Sequence, residues 1–297
     1  MTQTLSGVIA AIATAIDEHG SPDAVRSLGL ARYLLENGCD GLNVLGTTGE
    51  ATSFSLAQRK ALMSAYQQEG LPVGRLMVGT GTAALADTIE LTRHAAALGF
   101  GGALVLPPFY YKGVPEDGLF SFMSSVVAAT ERQPIPIYLY HFPANSGLPW
   151  SIALIGRLRE AFGKRIAGLK DSSGDMAYAR EAAAIAKDFA VFPSTEAALL
   201  EARGGTFAGC ISATANLNAD LCARAYHQGD EGALAEAVTI RQLFDGKALV
   251  SGVKALLAHI HRDPHWTRTL PPLVPFSAAD RALAVAGYDH VRAKRVA

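Results

Sequence analysis

The chain has 297 residues, of which 49% are hydrophobic and 18% are charged, and its formal net charge is −1. This is the composition of a globular protein, and the length fits one large α/β barrel or two ordinary domains. No basic stripe or acidic block stands out, so neither nucleic acid nor a membrane surface is indicated as a partner. No stretch approaches the roughly 20 apolar residues that a membrane span requires.

The cysteines and the N-terminus both point to a cytoplasmic protein. Cys39, Cys210 and Cys222 are far apart and form no CxxC pair, so we expect buried small hydrophobic residues in a reducing compartment. The apolar run near the N-terminus lacks a preceding positive charge and soon meets Asp17 and Glu18. This pattern predicts a first strand rather than a signal peptide.

Short apolar runs, polar turns and amphipathic stretches then alternate along the chain. The apolar runs predict strands at Val8–Ala13, Gly41–Leu45, Leu76–Val78, Ala103–Leu106, Ile135–Tyr140, Ile166–Leu169, Ala190–Phe192 and Cys210–Ile211. Two intervening helices are clearly bounded: Ser55–Glu69 opens with Ser55 as N-cap, and Leu85–Leu98 ends before Gly99. Such alternation predicts parallel strands with right-handed crossovers.

Eight of these units predict a TIM (β/α)8 barrel over residues 1–216. An open doubly wound sheet is the alternative, but no GxGxxG turn follows the first strand, and GTGT at 79–82 has only two glycines of that fingerprint. Residues 217–297 show helical spacing without strands, with a break at 262–277. We expect a C-terminal helical region that packs on the barrel or across a subunit interface.

Reactive groups of barrel enzymes lie where the strands end, and Lys170 lies at the end of the sixth predicted strand. A lysine there could extend out of the barrel mouth or pair with a carboxylate. It could also form a Schiff base, because burial disfavours the ammonium form and leaves an amine that attacks a ketone. The protonated imine would stabilise negative charge on the adjacent carbon, so that a C–C bond there can form or break.

The loop GTTGE at 46–50 and two tyrosines complete the candidate site. The loop is either an ordinary strand-to-helix turn or a carboxylate site made by Gly46, the hydroxyls of Thr47 and Thr48, and free amides at the following helix N-terminus. Tyr140 and Tyr111 are either core aromatics or proton carriers linked through Thr47.

Three further patterns are discounted as catalytic or metal-binding features. Glu50 is interpreted as a turn or helix-start carboxylate. The SGVK segment at 251–254 matches S-x-x-K but has no partner motifs. His259, His261 and His265 are predicted to be surface histidines without a metal.

Taken in order, the motifs resemble the dihydrodipicolinate synthase / N-acetylneuraminate lyase family of pyruvate-dependent class I aldolases. The resemblance rests on GTTGE (46–50), GTGT (79–82), PPFYY (107–111), YHFPANSG (140–147), GLKDSSGD (168–175) and GCISATAN (209–216). It implies a β/α barrel with a C-terminal helical region, usually a homotetramer built as a dimer of dimers. It also implies an enzyme that uses no metal and no organic cofactor.

The resemblance also implies residue roles. Lys170 corresponds to the imine-forming lysine and Tyr140 to the general acid/base. Thr47 and Thr48 correspond to residues that bind the carboxylate of the 2-oxo acid and join a hydroxyl relay. Tyr111 corresponds to a relay tyrosine that enters the neighbouring subunit's site, and Ile211 to a position whose carbonyl lies near the lysine.

Two departures from the family pattern bear on the substrate. Asn145 stands where dihydrodipicolinate synthases carry an arginine for the carboxylate of the aldehyde, and an amide cannot replace a bidentate guanidinium. PSTE at 193–196 replaces a Gly-Asp-type turn, so Ser194, Thr195 and Glu196 are candidate specificity residues, with Ser212 at the end of the eighth strand.

The sequence therefore predicts a cytoplasmic Schiff-base lyase acting on pyruvate and an aldehyde, with a 2-keto-3-deoxy sugar acid as the expected substrate. A sugar acid dehydratase and 4-hydroxy-tetrahydrodipicolinate synthase are the enzymatic alternatives, because the same imine could lose water or accept another aldehyde. A catalytically silent barrel that binds 2-oxo acids is the non-enzymatic alternative.

Overall fold

The computed structural model describes residues 5–293, so the terminal residues of the predicted barrel and of the helical region, 1–4 and 294–297, lie outside it. All eight predicted strands are present, and each boundary is within two residues of its prediction. The strands are β1 Gly7–Ala11, β2 Gly41–Val44, β3 Leu76–Gly79, β4 Gly102–Val105, β5 Ile137–His141, β6 Ile166–Asp171, β7 Ala190–Pro193 and β8 Gly209–Ser212.

The strands form one parallel sheet in the order β7-β6-β5-β4-β3-β2-β1-β8. Its two outer strands approach each other, and the amide of Ala208 donates a hydrogen bond of 2.9 Å to the carbonyl of Val191. Every strand residue is buried, as expected when helices cover one face and barrel side chains fill the other. The predicted TIM barrel is confirmed.

Helices occupy the intervals between the strands and the rest of the chain. They are α1 Ala24–Glu36, α2 Leu56–Gln68, α3 Leu85–Leu98, α4 Glu116–Ala129, α5 Pro143–Ser146, α6 Ile152–Phe162, α7 Met176–Ala183, α8 Leu199–Arg203, α9 Ala215–Ala223, α10 Glu231–Gln242, α11 Leu249–Ile260 and α12 Ala278–Ala293. Both bounded helices agree with their predictions: Ser55 and Gln58 form a capping box before α2, and Gly99 ends α3 in the left-handed conformation. In the described part of the chain no helix combines the length and the apolarity needed to cross a membrane.

The C-terminal helices pack directly on the barrel. The side-chain amide of Asn216 donates to the carbonyl of Ala11 at 2.8 Å and its oxygen accepts from the amide of Ala13 at 3.1 Å, which ties α9 to β1. The hydroxyl of Tyr288 on α12 donates to the carbonyl of Leu217 at 3.2 Å. The helical region is therefore present as expected, while its status as a separate domain from residue 217 stays a prediction.

Side chains from most of the strands fill the barrel interior. They form a compact cluster that includes Ile9, Met77, Leu104, Tyr138, Phe192 and Ile211. The rings of Tyr138 and Phe192 contact each other edge to face with centroids 6.1 Å apart. Because the interior is packed, a ligand has room only at an end of the barrel.

Candidate active site

A cavity of about 370 Å³ opens at the C-terminal ends of the strands, beneath the C-terminal helices. The barrel contributes Thr47, Thr48, Tyr140, Phe142, Asn145, Lys170, Ser172, Ser194 and Ile211 to its walls. The helical region contributes Arg241, residues 248–251 and Leu273. Clefts of about 630 and 580 Å³ lie at the opposite end of the barrel and between α11 and α12, but neither contains the candidate catalytic residues. The mouth cavity has the size of a small-molecule site and combines apolar walls with convergent polar groups.

Lys170 lies at the base of this cavity and is 3% exposed. The strand runs one residue beyond it, to Asp171, so Lys170 is held by a parallel ladder on both sides. In the described part of the chain no Asp or Glu carboxylate forms an ion pair with Lys170. A buried amine without a counter-charge is costly as an ammonium ion, which is the condition that a nucleophilic lysine needs.

Tyr140 lies beside Lys170 because the two residues are register partners on β5 and β6. The lysine Nζ is 3.5 Å from the Tyr140 hydroxyl and 4.5 Å from the centre of the ring. The same hydroxyl is 3.1 Å from the Oγ1 of Thr47. Lys170, Tyr140 and Thr47 therefore form a continuous chain of groups that can exchange protons.

A buried cluster on the outer side of β5 holds the strand end that carries Tyr140. The indole of Trp150 donates to the Tyr140 carbonyl at 3.2 Å, and the Trp150 amide donates to the Nδ1 of His141 at 3.1 Å. The His141 ring stacks on Tyr178 with centroids 4.2 Å apart. Burial lowers the pKa of His141 to about 4, so this imidazole is neutral at pH 7 and acts as an acceptor.

The GTTGE loop is tight and strained at both ends. Leu45 and Glu50 adopt left-handed conformations, with φ of 52° and 53°, and a Cβ on Gly46 would lie 2.5 Å from the side chain of Asn43. The amides of Glu50 and Ala51 donate to the carbonyls of Thr47 and Gly46. These two amides are therefore not free to bind an anion, because the loop closes on its own backbone. The carboxylate site at this loop stays a prediction. What the loop presents to the cavity is Thr47 and Thr48.

Glu50 has a role that the sequence analysis did not anticipate. It lies in the turn as expected, but its carboxylate is 2% exposed and is paired with Lys254, which is fully buried on α11. The carboxylate also accepts a hydrogen bond of 2.9 Å from the backbone amide of Leu270. Burial lowers the pKa of Lys254, against the opposing effect of Glu50. The lysine of the discounted S-x-x-K match therefore anchors the threonine loop to the helical region.

The predicted specificity residues fall into two groups. Ser194 lines the cavity, whereas Thr195, Glu196 and Ser212 do not. Thr195 caps a short 3-10 helix by accepting the amide of Ala197 at 3.3 Å. Glu196 and Ser212 are fully buried, and the Ser212 hydroxyl donates to Glu196 at 2.6 Å.

Arg241, which the sequence analysis missed, connects the buried pair Glu196 and Ser212 to the cavity. Its Nη1 lies 3.5 Å from the Glu196 carboxylate and 3.4 Å from the Ser212 hydroxyl, and its side chain lines the cavity. No local signal could have revealed it, because helical spacing in α10 does not say which loop the helix faces.

Tyr111 is not among the residues that line the cavity. It is 70% exposed in the loop after β4 and contacts Tyr110 edge to face, with ring centroids 5.3 Å apart. Its predicted role as a relay residue in a neighbouring subunit stays a prediction. Residues 5–293 contain no group of three or more His, Cys, Asp or Glu side chains arranged to hold a metal ion.

Comparisons with known proteins agree with this fold. Solved structures of similar fold include dihydrodipicolinate synthase from Agrobacterium tumefaciens, with a TM-score of 0.90 and 28% identity over 96% of this chain and 99% of that one. They also include YagE of Escherichia coli K12, a dihydrodipicolinic acid synthase family member solved in complex with pyruvate, with a TM-score of 0.87 and 25% identity over 97% of this chain and 98% of that one.

Curated relatives carry similar names. A DapA-like lyase of Chloroflexus aurantiacus is 32% identical over 97% of both chains. The 4-hydroxy-tetrahydrodipicolinate synthase of Moorella thermoacetica is 33% identical over 80% of both. The model of the dihydrodipicolinate synthetase family matches residues 4–282. The chain therefore belongs to the dihydrodipicolinate synthetase family, whose members are lyases and synthases of the class I aldolase type.

Proposed function

We propose that this protein is a Schiff-base lyase in which Lys170 forms an imine with a 2-oxo acid, pyruvate being the product of cleavage. The observation that carries the proposal is the position of Lys170. Its amine is buried without a carboxylate partner in the described part of the chain, and it lies 3.5 Å from the hydroxyl of Tyr140, which in turn contacts Thr47. A buried amine next to a proton-transfer group matches the requirements of imine formation.

The groups around Lys170 support each step of a cleavage. The amine attacks the ketone carbon and water leaves, while the threonine hydroxyls bind the adjacent carboxylate. Tyr140 takes the proton of the C4 hydroxyl as the C3–C4 bond breaks and the aldehyde departs. The bonding electrons move into the imine and give an enamine, which is protonated at C3 and hydrolysed to pyruvate.

The preferred substrate is a 2-keto-3-deoxy sugar acid, because Asn145 lines the cavity and can bind hydroxyl groups. Two alternatives use the same imine. Loss of water from it would make the protein a dehydratase. Addition of an amino-aldehyde acid would make it a 4-hydroxy-tetrahydrodipicolinate synthase, the name carried by several relatives.

We also propose a cytoplasmic homotetramer. Three free, buried cysteines suit a reducing compartment. The exposed pair Tyr110 and Tyr111 offers the aromatic surface that a neighbouring subunit would cover.

Borohydride reduction in the presence of pyruvate tests the proposal. The expected result is a covalent mass gain that matches reduced pyruvate and maps to the peptide that contains Lys170. The matched control is pyruvate without borohydride, which should leave the mass unchanged. Absence of any adduct on Lys170 would falsify the imine mechanism, and it would favour the silent 2-oxo acid-binding barrel if pyruvate still bound.

A further inference from the structure

Arg241 is a basic side chain that the proposed chemistry does not use. Among the cavity-lining residues of the described chain, it and Lys170 are the only basic ones. It comes from α10, outside the barrel, and its side chain is 29% exposed. The guanidinium therefore lies at the boundary between the buried polar groups and the space that a substrate would fill.

Glu196 holds this guanidinium in place without saturating it. The Oε1 of Glu196 already accepts hydrogen bonds from the hydroxyls of Ser212 and Thr214. Arg241 approaches the other oxygen and Ser212 at 3.5 and 3.4 Å, and only through Nη1. In the described part of the chain, neither Nε nor Nη2 of Arg241 donates a hydrogen bond. A guanidinium offers five N–H donors in a planar fork, so most of the fork is available to a ligand.

The position of Arg241 defines which end of a ligand it would meet. Thr47 and Thr48, the proposed carboxylate site, follow β2, and Lys170 belongs to β6. Arg241 contacts Ser212 at the end of β8 and Glu196 just after β7. The two candidate anion-binding groups therefore occupy different sectors of the barrel mouth, and a molecule joined to Lys170 could reach both.

We infer that Arg241 is the specificity-determining residue for a carboxylate at the end of the substrate remote from the imine. This inference rests on the proposed function and narrows it to 2-oxo acids that carry a second, terminal carboxylate. The planar carboxylate matches the free fork of the guanidinium. A phosphate fits less well, because Glu196 already balances much of the Arg241 charge and no other cation among the described lining residues lies on that side.

A carboxylate site at Arg241 gives Asn145 a different role in substrate binding. The amide cannot bind a carboxylate as an arginine does, but Arg241 provides that group from a different element. Asn145 is then left to bind hydroxyl groups between the two ends of the substrate. Glu196 becomes a positioning residue that acts through Arg241.

A matched pair of substrates tests this assignment. One is a six-carbon 4-hydroxy-2-oxo acid with a terminal carboxylate, and the other is identical except for a terminal CH2OH. Pyruvate release is followed with each, and a terminal phosphate analogue is a third arm. We expect the wild-type protein to cleave the diacid with the highest kcat/KM. Arg241→Gln should lower that value about 10- to 100-fold, mainly through KM, and change the neutral substrate less than about threefold.

Two further variants separate recognition from folding. Arg241→Lys keeps a charge next to Glu196 but loses the fork, and it should retain the fold while losing part of the preference for the diacid. Arg157→Gln removes an exposed arginine of α6, paired with Asp117, and should leave both substrates unaffected.

The outcomes also separate this inference from the proposed function. Equal losses with both substrates in Arg241→Gln and Arg241→Lys, or a wild-type preference for the neutral or phosphorylated compound, would overturn the inference alone. Failure of wild-type protein to form the pyruvate adduct on Lys170 would overturn the proposed function and this inference together.

Discussion

The molecule buries two lysines in opposite ways. Lys170, at the barrel mouth, is 3% exposed and has the hydroxyl and ring of Tyr140 as neighbours. Lys254, on α11, is fully buried and paired with the carboxylate of Glu50. Of these two lysines, only Lys254 has a carboxylate partner among the described residues.

The two environments suit different roles, the catalytic role that we propose for Lys170 and a structural role for Lys254. Lys254, with its buried counter-ion, holds two segments together. Lys170 has no such partner among the described residues, and it opens onto the cavity where a ketone could reach it. Burial alone does not distinguish these cases, whereas the presence of a carboxylate does.

The strongest test removes each amine in turn. Lys170→Met should abolish the borohydride adduct and reduce turnover to background, because no other amine of residues 5–293 lies beside Tyr140 and Thr47. Its free energy of unfolding should stay within about 1 kcal/mol of wild type or rise, because no ion pair is lost. Mass spectrometry and urea titration measure the two effects. A Lys170→Met protein that still formed the adduct would show that another lysine carries the chemistry.

Lys254→Met should have the complementary effect. It leaves the Glu50 carboxylate buried without its partner, which costs about 3–5 kcal/mol of unfolding free energy. The folded fraction should still form the adduct on Lys170. Adding Glu50→Gln removes the orphaned charge and should restore a substantial part of the loss. Unchanged stability in Lys254→Met would mean that the ion pair contributes nothing and that the contrast between the two lysines is mistaken.

His141 is a third buried basic side chain, and burial favours its neutral form. Its pKa is lowered by burial from 6.5 to about 4 in the folded protein. Between those values the unfolded chain binds a proton that the folded protein does not, so stability falls as the pH drops from about 6.5 toward 4. His141→Asn keeps an acceptor for the Trp150 amide and should lose about 2 kcal/mol less than wild type between pH 7 and pH 5.

Chemical denaturation at several pH values measures this difference in the pH dependence of stability, which is the smallest of the predicted effects. The variant also serves as its own control at pH 7, where neither side chain is charged in the folded state. Parallel stability curves for the two proteins would show that His141 does not sense the low dielectric of its surroundings.

Much of the fold and of the candidate site follows from local pattern. Short apolar runs between polar turns located the eight strands, and parallel strands bring their carboxyl ends to one mouth. This is why the sequence alone groups Lys170, Tyr140 and Thr47. The prediction used only the positions of these residues at strand ends. The parallel barrel then places those strand ends next to one another.

The missed residues all depend on contacts between distant segments. Arg241 and Lys254 lie on helices whose sequence shows periodicity but not the loop that each helix approaches. Glu196 was predicted as a specificity residue, but its carboxylate does not line the cavity because it is buried beside Arg241 of α10. The predicted role of Tyr111 depends on contact with a neighbouring subunit.

The Glu50–Lys254 pair has a consequence for the newly made chain. The two residues are 204 positions apart, so Glu50 leaves the ribosome long before its partner is synthesised. Until α11 arrives, the carboxylate remains solvated, and the strained loop that carries Thr47 and Thr48 lacks its anchor. We therefore expect chains that stop before α11, Leu249–Ile260, to form the strands but to lack the anchored threonine loop. The barrel mouth is thus completed only after all eight strands have been synthesised.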